Sequence, residues 1–144
     1  MIKRAETTDA GILATLAIKM WTEHDPAELE DEFRELLSNG EAACFIKYSG
    51  GAPIAFAQCQ LRHDYVEGTD SSPVGYLEGV FVSEGYRRMG YAAELLSECE
   101  KWAKENGCAE FASDCEPDNT ESLRFHLAVG FEEANRIICF RKEL

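Results

Sequence analysis

Hydrophobic and polar positions along this chain change period several times, and the changes outline its elements. "IKRAE" at 2–6 alternates weakly and reads as a short strand. From Asp9 the period becomes helical, with Ile12, Leu13, Leu16 and Met20 on one face, and it runs out near "WTEHDP". Asp25 then has the form of an N-cap, with Pro26 at the first helical position and Glu28 completing a capping box. The helix it opens carries Leu29, Phe33, Leu36 and Leu37 on one side, and Asn39-Gly40 stops it. Two apolar, β-leaning segments flank Gly50-Gly51, which is a hairpin signal. Residues 64–73 are polar and turn-rich and read as a loop. "VGYLEGVFV" at 74–82 is nearly continuous in apolar character and predicts a central strand, broken only by Glu78. Ala92, Leu95, Leu96, Cys99, Trp102 and Ala103 recur at helical spacing up to Asn106-Gly107. "CAEFASD" at 108–114 predicts a strand, and "DNTESLRFHLAVGF" a helix from Asp118 or Asn119 to Gly130. "ANRIICFRKEL" predicts a last strand. The order β-α-α-β-β-β-α-β-α-β implies an α/β (α+β) fold, a mixed sheet with helices on both faces.

Composition narrows this picture. A length of 144 residues suits one domain, 1–144, with a real core. The start "MIKRAETTDA" lacks the apolar stretch of a secretory signal, and no apolar run is long enough for a bilayer. The expectation is a cytoplasmic protein with no membrane partner. Cysteines stand at 44, 59, 99, 108, 115 and 139, with no C-x-x-C pair, so buried free thiols are expected. The histidines show no H-E-x-x-H spacing, and no metal is expected. The balance of 14 basic against 27 acidic residues gives a net charge of −13. Such a surface repels nucleic acid and attracts polycations, although acidity also serves solubility alone.

Against that charge, "EGYRRMGYAAELL" (84–96) places two arginines and a glycine ahead of a helix. A strand, a glycine-bearing loop and a helix form a phosphate-binding arrangement, because the first helical turn has unpaired N–H groups. Gly90 leaves the backbone open to close approach. The spacing R-x-x-G-x-A, Arg87 to Ala92, is neither a Walker A loop nor a dinucleotide fingerprint. This unit, with the two preceding helices, the hairpin and the closing "N…H…GF" helix, resembles the GNAT superfamily of acetyl-CoA-dependent N-acetyltransferases over the whole chain. "LRHDYV.G…SSPV", "LEG.FV", "ASD" and "FRK.L" look more narrowly like the aminoglycoside 6′-N-acetyltransferases.

The resemblance implies acetyl-CoA as co-substrate. Arg87, Arg88, Met89, Gly90, Tyr91 and Ala92 would cradle its pyrophosphate. Val80, Phe81 and Val82 would pair with the pantetheine arm and polarise the thioester carbonyl through a backbone N–H. Asn119 matches a coenzyme contact and is also a natural N-cap. A carboxylate in an apolar strand is costly unless paired or functional, which draws attention to Glu78. Asp114 ends the neighbouring strand, where α/β sheets build their sites. Matched to the family, both hold substrate ammonium groups, and one takes the proton from the 6′-amine.

Trp21, His24 and Tyr65 match further pocket positions. Asn135 stands where relatives are often acidic, so its hold on a cation is weaker. His126 occupies the position where many GNAT members carry a tyrosine that protonates the leaving thiolate, and an imidazole can do the same near neutral pH. Cys115 lacks a paired histidine, so direct transfer is expected rather than a covalent intermediate. Acetylation of another amine, such as a polyamine or a protein N-terminus, and a non-catalytic acyl-CoA-binding module are the alternatives. Relatives are commonly dimers, so the resemblance also implies a homodimer.

Overall fold

Gly50 and Gly51 adopt φ of 57° and 82°, the left-handed pair of a tight hairpin turn. They join β2 (Ala42–Ser49) to β3 (Ala52–Arg62). The computed structural model describes residues 1–144, and its sheet extends from this hairpin on both sides. Strand order is β1-β2-β3-β4-β5, with β1 (Ile2–Arg4) at one edge and β5 (Phe111–Ala112) at the other. Strands β1 to β4 (Val74–Val82) are antiparallel neighbours, whereas β4 and β5 run parallel. A 3₁₀ turn at Thr7–Asp9 leads into α1 (Ala10–Ala17), followed by α2 (Pro26–Ser38). The others are α3 (Tyr91–Glu105) and α4 (Thr120–Ala128). No helix is long and apolar enough to cross a membrane.

Alternation along the strands builds a core on each face. Leu13, Leu16, Leu29 and Phe33 from α1 and α2 pack with Cys44, Ile46 and Phe56. Leu95, Leu96, Cys99 and Trp102 from α3 pack with Phe45, Ala55, Ala57, Cys59 and Leu77 on the opposite face. The expected helices on both faces are therefore present. Cys44, Cys59, Cys99 and Cys108 are buried. Burial pushes the Cys44 and Cys108 thiols up, as a hydrogen bond with Cys59 followed by burial does for Cys99. These thiols stay protonated and pack as small hydrophobes. Cys115 is only half-buried and Cys139 is exposed, so the expectation of buried thiols holds for four of the six.

The expected N-caps form, but the capping box expected at α2 is only half made, because the Glu28 carboxylate does not accept from the Asp25 amide. Asp25 Oδ2 accepts from the Glu28 amide at 3.3 Å, with Pro26 opening α2. Asn119 Oδ1 accepts from the Ser122 amide at 3.1 Å at the start of α4. Helix α1 ends at Ala17, so Met20 lies in the turn beyond it rather than on the helix.

Three expectations about the strands need correction. The run 74–82 forms β4 with the expected bounds, but it lies next to the edge rather than at the centre. The strand expected over 108–114 shrinks to Phe111–Ala112, because β5 pairs only Gly75↔Phe111 and Tyr76↔Ala112 before turning away. The last strand over 134–144 does not form. A strand needs a hydrogen-bonded neighbour, and this segment pairs with none in its own chain. Ile137, Ile138 and Phe140 are left 64%, 81% and 90% exposed.

Gly75 fixes the one place where β5 joins the sheet. A Cβ there would sit 2.5 Å from the Phe111 ring and 2.7 Å from Ala103 Cβ of α3. Gly75→Ala is expected to destabilise the fold by about 1–3 kcal/mol, read as a lowered denaturation midpoint in urea.

Candidate active site

Beyond Tyr76 and Ala112 the two parallel strands separate, and the edge of β4 from Leu77 to Val82 has no neighbour on that side. A kink in the same strand sharpens the opening. Gln58 of β3 faces Gly79 and Cys59 faces Leu77, so Glu78 is an extra, unpaired residue. This is a β-bulge, which redirects the side chains around it. Before it, Gly75 and Leu77 face α3; after it, Val80 and Val82 do. Gly79 and Phe81 turn instead toward the α1–α2 side.

The bulge resolves the cost of a carboxylate in an apolar strand. Arg62, the last residue of β3, forks onto Glu78, with Nη2–Oε1 at 2.8 Å, Nη2–Oε2 at 3.2 Å and Nε–Oε1 at 3.1 Å. Such a two-pronged pair holds the acid in one orientation. The same guanidinium lies over the Tyr76 ring, 3.4 Å from its centre. The Tyr76 hydroxyl donates to Asp114 Oδ2. Burial, then the bond and charge of Asp114, push the Tyr76 phenol well above its usual range, so it remains a donor. Glu78, Arg62, Tyr76 and Asp114 thus form one chain of contacts across the mouth of the opening.

Ahead of α3 runs the loop from Ser83 to Gly90. Arg88 has φ 64° and Gly90 φ 82°, both left-handed. None of the amide N–H groups from Arg87 to Ala93 donates to a backbone acceptor in the chain; the first helical bond runs from Glu94 to Gly90. A run of free N–H groups at a helix start is an anion cradle. Nothing lies within 4 Å of where a Gly90 Cβ would point. Arg87 Nε donates to the Val82 carbonyl at 2.9 Å, which anchors that guanidinium at the end of β4.

Residues 12–131 match the Acetyltransferase (GNAT) family. The chain belongs to the GNAT acetyltransferase family. This GNAT chain is 42% identical to aminoglycoside N(6′)-acetyltransferase type 1 of Serratia marcescens over 134 residues, 91% of this chain and 92% of that protein. It is 45% identical to the Salmonella typhimurium enzyme of the same name, over 86% of each chain. Among solved structures, aminoglycoside acetyltransferase AAC(6′)-Iy bound to the bisubstrate analogue CoA-S-monomethyl-acetylneamine superposes with a TM-score of 0.96 at 38% identity, covering 100% of this chain and 98% of that one.

The remaining positions expected from the GNAT resemblance divide by location. Trp21 lies against β4, where a Cβ on Gly79 would be 3.0 Å from its indole, one residue from Glu78. His24 is exposed and its ring is 6.2 Å from that of Trp21. Tyr65 stands on the 64–73 loop, 76% exposed. Val66 beside it is buried with Val74 and Tyr76, which ties the loop to the cluster. Asn135 Nδ2 donates to Glu67 Oε1 of the same loop at 2.7 Å, so its amide is engaged within the chain. Asn119 serves as the N-cap of α4. His126 lies on α4, with Nε2 and the Ser113 hydroxyl 2.7 Å apart. Sequence reading missed Arg62, Tyr76 and Ser113. Arg62 and Ser113 lie at or next to the end of a strand and Tyr76 lies within an apolar one, and only the pairing of β3, β4 and β5 gives them partners.

Proposed function

We propose that this chain transfers the acetyl group of acetyl-CoA directly to the 6′-amine of aminoglycosides. The observation that carries the proposal is the adjacency of two unlike surfaces: free amides and arginines at the head of α3, and the carboxylates of Glu78 and Asp114 across the open β4 edge. The names and bound ligands of the relatives agree with that pairing.

Acetyl-CoA supplies the activated thioester. The amides from Arg87 to Ala93, with Arg87 and Arg88, hold its diphosphate. The unpaired edge at Val80, Phe81 and Val82 offers an amide-bearing arm the bonds of an added strand, and an N–H there polarises the carbonyl. Glu78 and Asp114 hold ammonium groups, with Trp21 as an apolar wall for a sugar and His24 and Tyr65 as hydrogen-bonding groups at its rim. Asn135, bonded to Glu67, secures the loop that carries Tyr65. The two acids divide their duties. Arg62 engages both oxygens of Glu78, whereas Tyr76 engages one oxygen of Asp114 and leaves the other available. Asp114 is therefore the proton acceptor for the amine, directly or through water, and Glu78 an electrostatic anchor.

The same reading covers a single acetyltransferase domain over 1–144, in the cytoplasm, where acetyl-CoA is made and thiols such as Cys139 stay reduced. It includes a homodimer. Ile137, Ile138 and Phe140 project from an unpaired C-terminal arm, and the outer edge of β5 is free. A second copy of the chain supplies what each of these features lacks, a strand for the edge and an edge for the strand. Truncation after Asn135 is expected to convert a dimer to a monomer in sedimentation velocity; a full-length monomer rules out the pairing.

Release of free thiol from acetyl-CoA on adding a kanamycin-type aminoglycoside tests the function. A polyamine and a peptide N-terminus serve as competing acceptors. Thiol release with a competitor and none with the aminoglycoside reassigns the substrate, and coenzyme binding without release makes the chain a binding module.

A further inference from the structure

We infer that Ser113, rather than His126 directly, hands the proton to the departing sulfur, and that His126 acts through it; the inference rests on the acetyl-transfer reading above. The hydrogen bonds of the imidazole carry the argument. His126 Nδ1 is 2.7 Å from the Ser122 carbonyl, which can only accept, so Nδ1 carries a proton. That leaves Nε2 as the nitrogen that exchanges protons, and it is occupied by the Ser113 hydroxyl at 2.7 Å. Rings of Phe125 and Phe131 flank the imidazole, 5.5 Å and 5.2 Å away. No carboxylate lies within ion-pair distance of either ring nitrogen, and Asp114, the acid next to Ser113, is bonded to Tyr76. The groups that face His126, from α4 itself, from the residue after β5 and from the segment after α4, are therefore two serines and two phenylalanines.

Position points the same way. Ser113 is the first residue past the β4–β5 pairing, at the point where the strands separate. Phe111, two residues earlier, lies on the α3 side against Gly75, so alternation directs Ser113 toward the side where the α3 amides wait. Asp114 falls on the other side, with Tyr76. The proton donor and the proton acceptor thus face the opening from opposite sides.

The protonation state of the ring decides what Ser113 can do. With Nε2 bare, the Ser113 hydroxyl points its proton back at the ring. With imidazolium, Nε2–H donates to Ser113 Oγ and frees the hydroxyl proton for the cleft. As the carbon–sulfur bond breaks and its electron pair stays on sulfur, Ser113 Oγ gives its proton to sulfur. His126 Nε2 replaces it, and the ring is left neutral with Nδ1–H in place. Solvent returns the proton to Nε2 before the next turnover.

The test is the pH dependence of kcat for wild type, Ser113→Ala and Ser113→Thr, with acetyl-CoA and an aminoglycoside. Wild type is expected to lose turnover on the alkaline side, because the relay starts from a ring that carries a proton on both nitrogens. Ser113→Ala is expected to lower kcat by about 10²-fold, to lose that alkaline limb, and to keep the KM for acetyl-CoA. Ser113→Thr, which keeps a hydroxyl, restores most of kcat and the limb. Wild-type kcat and an unchanged profile in Ser113→Ala overturn the relay and leave the acetyltransferase reading intact. A drop in Ser113→Ala that Ser113→Thr does not repair also overturns it, since packing is then the cause. Failure of wild type to acetylate any aminoglycoside overturns both.

Discussion

Asp114→Asn is expected to cut kcat/KM for aminoglycoside by about 10²–10⁴-fold and to leave the KM for acetyl-CoA unchanged. The substitution keeps size and shape. Its amide oxygen still accepts from the Tyr76 hydroxyl, so the side chain stays where β5 delivers it. What disappears is the negative charge and, with it, the lone pair proposed to take the amine proton. The amide presents N–H donors to an ammonium group, so attraction turns to repulsion. Asp114 is exposed, so folding leaves it hydrated, and in the proposed reaction it is substrate binding that removes its water. Its charge therefore contributes most in the complex and little to stability. Tyr76→Phe separates positioning from chemistry: the charge remains and only the tether is lost, so the expected loss is about 0.5–1.5 kcal/mol in kcat/KM. Steady-state kinetics with both substrates varied distinguishes the two variants. An Asp114→Asn enzyme with wild-type kcat/KM removes this residue from the site.

The second large effect is expected at the proposed phosphate cradle. Arg87→Ala combined with Arg88→Gly should weaken coenzyme A binding by about 10²–10⁴-fold, from two charge-assisted contacts of roughly 1.5–3 kcal/mol each. Glycine is the right replacement at 88, because the native φ of 64° strains alanine but not glycine. The backbone that presents the free amides then survives, and the loss reports charge. Arg87 differs from Arg88 in being fastened to the Val82 carbonyl, so part of its effect comes from aligning the end of β4. With a net charge of −13, the loop is an island that the rest of the surface opposes, so removing cations also removes local screening of that field. Affinity in wild type should fall as salt rises, and the double variant should show a shallower dependence. Calorimetry with coenzyme A at two ionic strengths measures both. Unchanged affinity would falsify the cradle.

Legibility from sequence varied with the range of the interaction involved. The α2 cap, the Gly50-Gly51 turn and the bounds of β4 were readable because each depends on residues a few positions apart. Glu78 stood out as an acid in an apolar run. Its bulge and its partner Arg62 did not, since both depend on the register of β3 against β4. Tyr76 passed as one more apolar strand residue until Asp114 was found at its hydroxyl. His126 was readable as a candidate proton donor, but Ser113, which occupies its exchangeable nitrogen, was not. The C-terminal run shows the opposite failure. Its pattern is that of a strand, and the chain does not pair it.

The sequence by itself determined the periods, the caps and turns, the acidic surface and the glycine-bearing arginine loop. Each of these is set by side-chain chemistry and by backbone preferences within a few residues. Tertiary structure alone decided that β4 and β5 part after two pairs, that Glu78 bulges out to meet Arg62, and that Asp114 and Ser113 face the gap from opposite sides. Those outcomes depend on which strands lie side by side and in what register, and on the absence of a Cβ at Gly75 where β5 meets α3. Contacts between residues far apart in the chain exist only once the core has brought them together.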